Sequence, residues 1–343
     1  MLSEEDYRKL DIDSYSSISK FLEDRKKYYR KFVLKEEVEE DDVQSLRIGS
    51  LVDCLALPNE NGTTDFKKKF LIAKAKIPTG QILQFCNEFY KLTKDYNDND
   101  LIDDNIIKQA YNIVGFKRDS YENILKKLGE NTDYITELRN SKNKILITQE
   151  DLNKAEKTVR DLYNSKRTGD IMSLTNSHRY IVINQLTHIF NYGDITLKAM
   201  LDKVVIDHEK KTIQPYDLKT TYSVDDFSLN YYKYKYYIQA AVYWNALRNW
   251  AKENGYIDQG YNLEYMKFIV CDSSGYMQPL VYTTNEEHYA QALGGFYMHG
   301  KYYPGLNQAL SDIQWHKHTG MWNISRNNYE GKDIEITINK DML

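Results

Sequence analysis

At 343 residues, with 41% hydrophobic residues and a formal net charge of −4, the chain has the apolar content for a sizeable core but no bulk cationic excess for coating nucleic acid. It contains no apolar run of about 18 residues, which argues against a membrane-spanning helix, and its acidic opening, MLSEEDYRKLDID, lacks the apolar stretch of a secretory signal. Cys54, Cys86 and Cys271 are widely spaced and form no CxxC pair, which excludes a disulfide framework and a zinc or iron–sulfur set and fits a reducing cytoplasm.

Along the chain, residues 14–32 read as a serine-capped helix with Ile18, Phe21 and Leu22 on one face, and residues 44–57 as a second helix stopped by Pro58. Residues 66–167 are mostly helical by period. The clearest case follows Thr148, which can cap. Glu150 and Asp151 suit a first turn, and Leu152, Ala155, Val159 and Leu162 form an apolar stripe. The pattern then changes. Residues 178–192, 195–207 and 211–221 are rich in β-branched side chains and separated by turn signals at Gly193-Asp194 and at 208–211, so they read as three consecutive antiparallel strands. A helix is expected over 227–252, a strand over 263–272, and its hairpin partner over 277–284 across Ser273-Ser274-Gly275. Helices near 284–297 and 305–314 and an edge strand over 332–339 complete the expectation. This order suggests one α/β domain over 1–343, with a helical elaboration at 60–170.

The stretch LDKVVIDHEKKTIQPYDLKTT, residues 201–221, places Asp202, Asp217 and Lys219 in segments that read as buried strands. Buried charges are costly unless paired or bound to a metal, so this is either a surface hairpin with solvated ion pairs or a site. Alternation along a strand sends Asp217 and Lys219 to one side and Tyr216 and Leu218 to the other. The hairpin can bring Asp202 beside Asp217. Two adjacent carboxylates favour a cation between them, and their oxygens, with the Leu218 carbonyl, suit Mg²⁺ or Mn²⁺. The thirty tyrosines are explained by compositional bias, with base stacking as the functional alternative.

Four segments together resemble the PD-(D/E)xK nuclease superfamily, in the branch of RecB-like and RecE-like nucleases and phage exonucleases of the lambda type. They are RIGSLVDCL (47–55), LKAMLD (197–202), YDLKTT (216–221) and YYIQAAVY (236–243), and the opening SYSSISKFLEDRKKYY adds a fifth likeness. The resemblance covers most of residues 14–250. It implies a restriction-endonuclease-like core, a mixed central sheet flanked by helices. It also implies a Mg²⁺-dependent DNA exonuclease of the recombination type, phage or prophage in origin and acting on duplex ends in the cytoplasm of a bacterial host. An annealing protein and a second copy of the chain are the implied partners, with no membrane.

By the same resemblance, Asp202 and Asp217 are the primary metal ligands, helped by Asp53 and the Leu218 carbonyl. Lys219 acts on the attacking water or the developing charge, and Gln239 holds water, lysine or phosphate. Asp53 departs from the pattern, since many RecB-type members carry His there. Ser17, Ser19, Lys20, Arg47 and Tyr236 are the candidate DNA contacts, with Lys233 and Lys235 flanking. The basic run Arg25, Lys26, Lys27, Arg30 and Lys31 reads as a solvated helix face. The HKH at 316–318 is a weak metal-like feature in what reads as an irregular tail. An endonuclease on the same core and a catalytically silent DNA-binding module are the competing readings.

Overall fold

The structure, a computed structural model, describes residues 2–36, 44–59, 61–96, 103–142 and 144–331. The expected edge strand at 332–339 lies outside these. The chain divides into two compact units. The first comprises Met1–Glu40, Asn59–Asn61 and Arg160–Leu343, and the second comprises Asp41–Pro58 and Gly62–Val159.

The first unit is built on a six-stranded mixed sheet. Its strands are β1 (Tyr180–Tyr192), β2 (Ile195–Asp207), β3 (Thr212–Thr221), β4 (Asn262–Leu263), β5 (Lys267–Asp272) and β6 (Leu280–Thr283). The spatial order is β1-β2-β3-β5-β6, and the short β4 also pairs with β3. β1, β2 and β3 run antiparallel in sequence, as their alternation and turns predict. β5 joins β3 in parallel, because the connection between them is a helical crossover, and β6 returns antiparallel to β5.

The helices packed into the main core include two that bear on the site. They are α1 (Tyr15–Glu23) and the eighteen-residue α2 (Tyr236–Glu253). The core gathers Ile18 and Tyr28 from the N-terminal region, Leu186, Phe190, Leu197, Leu201, Val204, Ile206 and Ile213 from the sheet, and Tyr237, Ile238, Ala241 and Val242 from α2. Small alanines along α2 let the helix lie close to the strands.

Several elements are shorter or more broken than their sequences suggest. The 14–32 segment is not one helix. Asp24 accepts from the backbone N–H groups of Lys26 and Lys27 and starts a new short helix, Arg25–Tyr28. A capping aspartate competes with helix continuation in this way. The 227–252 segment splits into Phe227–Lys233 and α2, with Lys235 at φ +59° between them. The helix expected to reach 297 stops at Gly294, since Gly295 sits at φ +84°. An unforeseen hairpin, Phe296–Met298 with Lys301–Tyr303, follows it. The next helix runs over Leu306–Thr319 and takes in the HKH, which is therefore ordered helix rather than irregular tail.

The second unit is mainly helical, over Gln44–Ala56, Gly80–Thr93, Asp104–Val114, Tyr121–Glu130 and Thr132–Asn140. Two three-residue parallel strands, Phe70–Ile72 and Ile145–Ile147, interrupt the mostly helical pattern. Its own core includes Leu83, Phe85, Phe89, Ile124 and Tyr134. Thr148 caps the helix Gln149–Asn164 as its sequence implies, accepting from Asp151 N–H at 3.0 Å.

Candidate active site

The β2–β3 ladder runs from Asp207–Thr212 to Lys203–Tyr216 and ends there. One step further along the same register, Asp202 stands opposite Asp217. Its carboxylate takes the place of a ladder partner, with Oδ2 accepting the Leu218 backbone N–H at 2.8 Å. Asp217 is 1% exposed and Asp202 is half-buried, and each carboxylate lies within the electrostatic reach of the other.

Asp217 and Lys219 share a side of β3, as alternation requires, and their side chains form an ion pair through Asp217 Oδ2. From α2, Gln239 Nε2 donates to Asp217 Oδ1 at 2.7 Å. The Lys219 ammonium lies 4.9 Å from the centre of the Tyr236 ring, a cation–π contact on its remaining side. Tyr236 and Gln239 occupy successive turns of one helix face, which is how a single helix supplies both.

The electrostatics follow from burial. Loss of solvent opposes the charge on Lys219, but Asp217 and Asp202 outweigh it and hold the ammonium well above the ordinary lysine range. Burial pushes the Asp217 carboxyl up, against the opposing pull of Lys219, Asp202 and Gln239. At neutral pH Lys219 is therefore a fixed positive charge rather than a free base.

Asp217 Oδ2 is held by the Lys219 ammonium, whereas the buried Gln239 Oε1 has no donor among the described residues. A buried acceptor without a donor is expensive, and a water carried by a bound cation would satisfy it. Mg²⁺ commonly uses one or two protein carboxylates and keeps several waters, so this donor set fits it. Among the described residues no group of three or more His, Cys, Asp or Glu side chains forms a ready-made metal cage.

The other sequence-selected residues have varied settings. Ser17 is 1% exposed, and its hydroxyl is spent within the helix cap, donating to Asp13 Oδ1 and Ser14 O while accepting from Ser14 N–H. That corrects its candidacy as a phosphate contact. Ser19 is half-buried, and Lys20 pairs with Glu23 at 3.0 Å. Arg47 and Asp53 sit half-buried on the helix Gln44–Ala56 of the second unit. In the basic run, Arg25 donates to the Trp322 carbonyl and Arg30 pairs with Glu36. His316 is buried, its Nδ1 lies 2.5 Å from the Met321 carbonyl oxygen, and its ring stacks on Trp322, which accounts for it as a packed core histidine.

Two site neighbours were missed. Tyr243 follows Gln239 by one turn of α2, and burial together with the charges of Asp217 and Asp202 keeps its hydroxyl protonated. Its helical spacing within YYIQAAVY was a usable signal. Tyr15, whose hydroxyl donates to the Tyr234 carbonyl at 2.8 Å, is near Lys219 only through tertiary packing.

The first unit is thus a mixed α/β fold carrying a paired-carboxylate, lysine and glutamine constellation at a point where two strands part. No family model matches the chain, and no curated protein matches it. Among solved structures it is similar to a crystal structure of a candidate exonuclease from Eubacterium rectale, with 12% identity, a TM-score of 0.46, and coverage of 99% of this chain and 96% of that one. A likeness at this level carries no argument for shared function. No helix among the described residues is long and apolar enough to cross a membrane.

Proposed function

We propose that the chain is a Mg²⁺- or Mn²⁺-dependent deoxyribonuclease with a restriction-endonuclease-like core, acting as an exonuclease on duplex ends. The observation that carries this reading is the meeting of Asp202, Asp217, Lys219 and Gln239 beside the end of the β2–β3 ladder. Asp202 and Asp217 would hold the ion, with the Leu218 carbonyl as a further oxygen donor. When bound, the ion supplies charge neutralisation at phosphorus and an activated water.

The chain's own residues do the rest. Lys219 stays protonated, so its part is to stabilise negative charge developing on the phosphoryl oxygens and to orient the attacking water by donating to it. Gln239 fixes the Asp217 carboxylate through its amide N–H, leaving Oε1 to accept from a water. Tyr236 confines the ammonium from one side and limits its hydration. Lys20, Ser19 and Arg47 are the proposed backbone contacts. A role in recombination, an annealing protein as partner, self-association and a bacterial cytoplasmic setting complete the proposal.

The test is digestion of end-labelled linear duplex and of closed circular duplex with Mg²⁺ or Mn²⁺, wild type beside Lys219→Ala. We expect metal-dependent loss of nucleotides from the linear ends, an intact circle, and little or no activity in the variant. Cleavage of the circle would make the enzyme an endonuclease on the same core. No cleavage of either DNA would leave a silent binding module.

A further inference from the structure

The middle of β1 contains a break in regular strand geometry. Gln185 has φ +53°, a left-handed conformation, within an otherwise extended thirteen-residue strand. A residue with a side chain is strained there. The β1–β2 ladder registers Asn184 with Lys203 and Leu186 with Leu201, and it skips the pair between them, Gln185 with Asp202.

The alternation shifts at the same place on both strands. On β2 the core takes Leu197, Ala199 and Leu201, then Val204 and Ile206. On β1 it takes Phe190 and Leu186, with Ile183 and Ile181 packed against it. Each strand therefore gains one residue between core-facing positions, and because both do so, the register is unchanged. On the other side of β2 the ladder to β3 also stops short of Asp202. Asp202 thus lies outside the registered pairs of both ladders, and its carboxylate is where the Leu218 N–H finds its acceptor.

We infer that Gln185 is a positioning residue, whose left-handed backbone opens the sheet at Asp202 and aims that carboxylate toward Leu218 and Asp217. Among the described residues its side chain makes no hydrogen bond, so what it supplies is conformation. Its bearing on catalysis rests on the nuclease reading, while its bearing on the placement of Asp202 does not.

The experiment compares Gln185→Gly and Gln185→Asn, which tolerate the left-handed region, with Gln185→Val, whose branched Cβ opposes it. The readouts are hydrogen exchange of the Leu218 amide and Mg²⁺-dependent cleavage. The glycine and asparagine variants are expected to keep both within about twofold of wild type, the size of an ordinary neutral substitution. The valine variant is expected to speed Leu218 exchange and slow cleavage by roughly tenfold or more, through the added strain of a branched Cβ over glutamine in the left-handed region. The Val204 and Ile206 amides should stay protected.

Unchanged Leu218 exchange in the valine variant, or markedly faster exchange in the glycine variant, overturns the inference. Should the valine variant fail to fold, Gln185→Thr, also branched at Cβ, replaces it, and equal Leu218 exchange in the threonine and glycine variants overturns the inference. If wild type does not cleave, the nuclease reading falls, and Leu218 exchange alone still decides the role of Gln185.

Discussion

The Asp202 carboxylate accepts the Leu218 backbone N–H at 2.8 Å, one residue beyond the last ladder pair between their strands. That bond ties the carboxylate of one strand to the backbone beside Asp217 and Lys219 on the next. It makes the pairing of two acidic groups a property of the sheet rather than of flexible side chains.

Metal affinity should depend on both carboxylates. Asp202→Asn and Asp217→Asn are each expected to abolish saturable Mn²⁺ binding measured by titration calorimetry, with no loss of far-ultraviolet helix signal. Wild-type affinity in either variant would remove that residue from the ligand set.

Lys219 is 17% exposed and its partner Asp217 is 1% exposed, so the ion pair is shielded from water. Lys219→Met should destabilise the fold by about 3–5 kcal/mol near neutral pH, because it strands a buried carboxylate. Without the ammonium, burial is opposed only by Asp202 and Gln239, and the Asp217 pKa rises further. The folded state then holds that proton where the unfolded chain, at an ordinary 3.8, has released it, so stability of the variant must fall as pH rises. Urea denaturation at acid and alkaline pH measures the slope. A slope like that of wild type would mean that the pair is not shielded as described.

Gln239→Leu should cut cleavage by roughly 10- to 100-fold, since a hydrogen bond to a charged group contributes about 1.5–3 kcal/mol. Gln239→Glu should be at least as damaging, because it sets a second negative charge against Asp217. Steady-state kinetics on linear duplex test both, and an unimpaired leucine variant would show that the amide has no part in the chemistry.

Lys235 holds φ +59° at the junction before α2. Lys235→Gly should therefore raise stability by about 0.5–1 kcal/mol, relieving left-handed strain at the cost of a more flexible unfolded chain. Thermal unfolding reads the change, and a lower melting temperature would mean that the lysine side chain contributes more than its backbone costs.

His316 is held below its ordinary value of 6.5, chiefly by burial, with its bond to the Met321 carbonyl opposing. The unfolded chain then takes up the proton first as pH falls, so stability present above 6.5 is lost on acidification through the folded value. His316→Phe should flatten that part of the pH–stability curve in chemical denaturation. An unchanged curve would assign the acid sensitivity elsewhere.

The hairpins at Gly193-Asp194 and 208–211, the parity that sends Asp217 and Lys219 to one side, and the i, i+3 spacing of Tyr236 and Gln239 were legible because they are local. Periodicity and turn chemistry act over a few residues, and the chain states them directly. The breaks at Asp24 and Lys235 were missed because the apolar pattern runs through them, while their causes are a competing cap and a left-handed residue. Ser17 was misassigned because nothing in its neighbourhood reveals whether a serine hydroxyl faces solvent or its own helix cap.

By itself, then, the sequence determined the three-strand run, the acidic pair, the lysine beside them and the helix that follows. Only the tertiary structure decided that the strands part at Asp202, that Gln239 reaches Asp217, and that Tyr15 and Tyr243 close around the charges. Those contacts join residues tens to hundreds of positions apart, and their energies depend on burial, which no short window of sequence specifies.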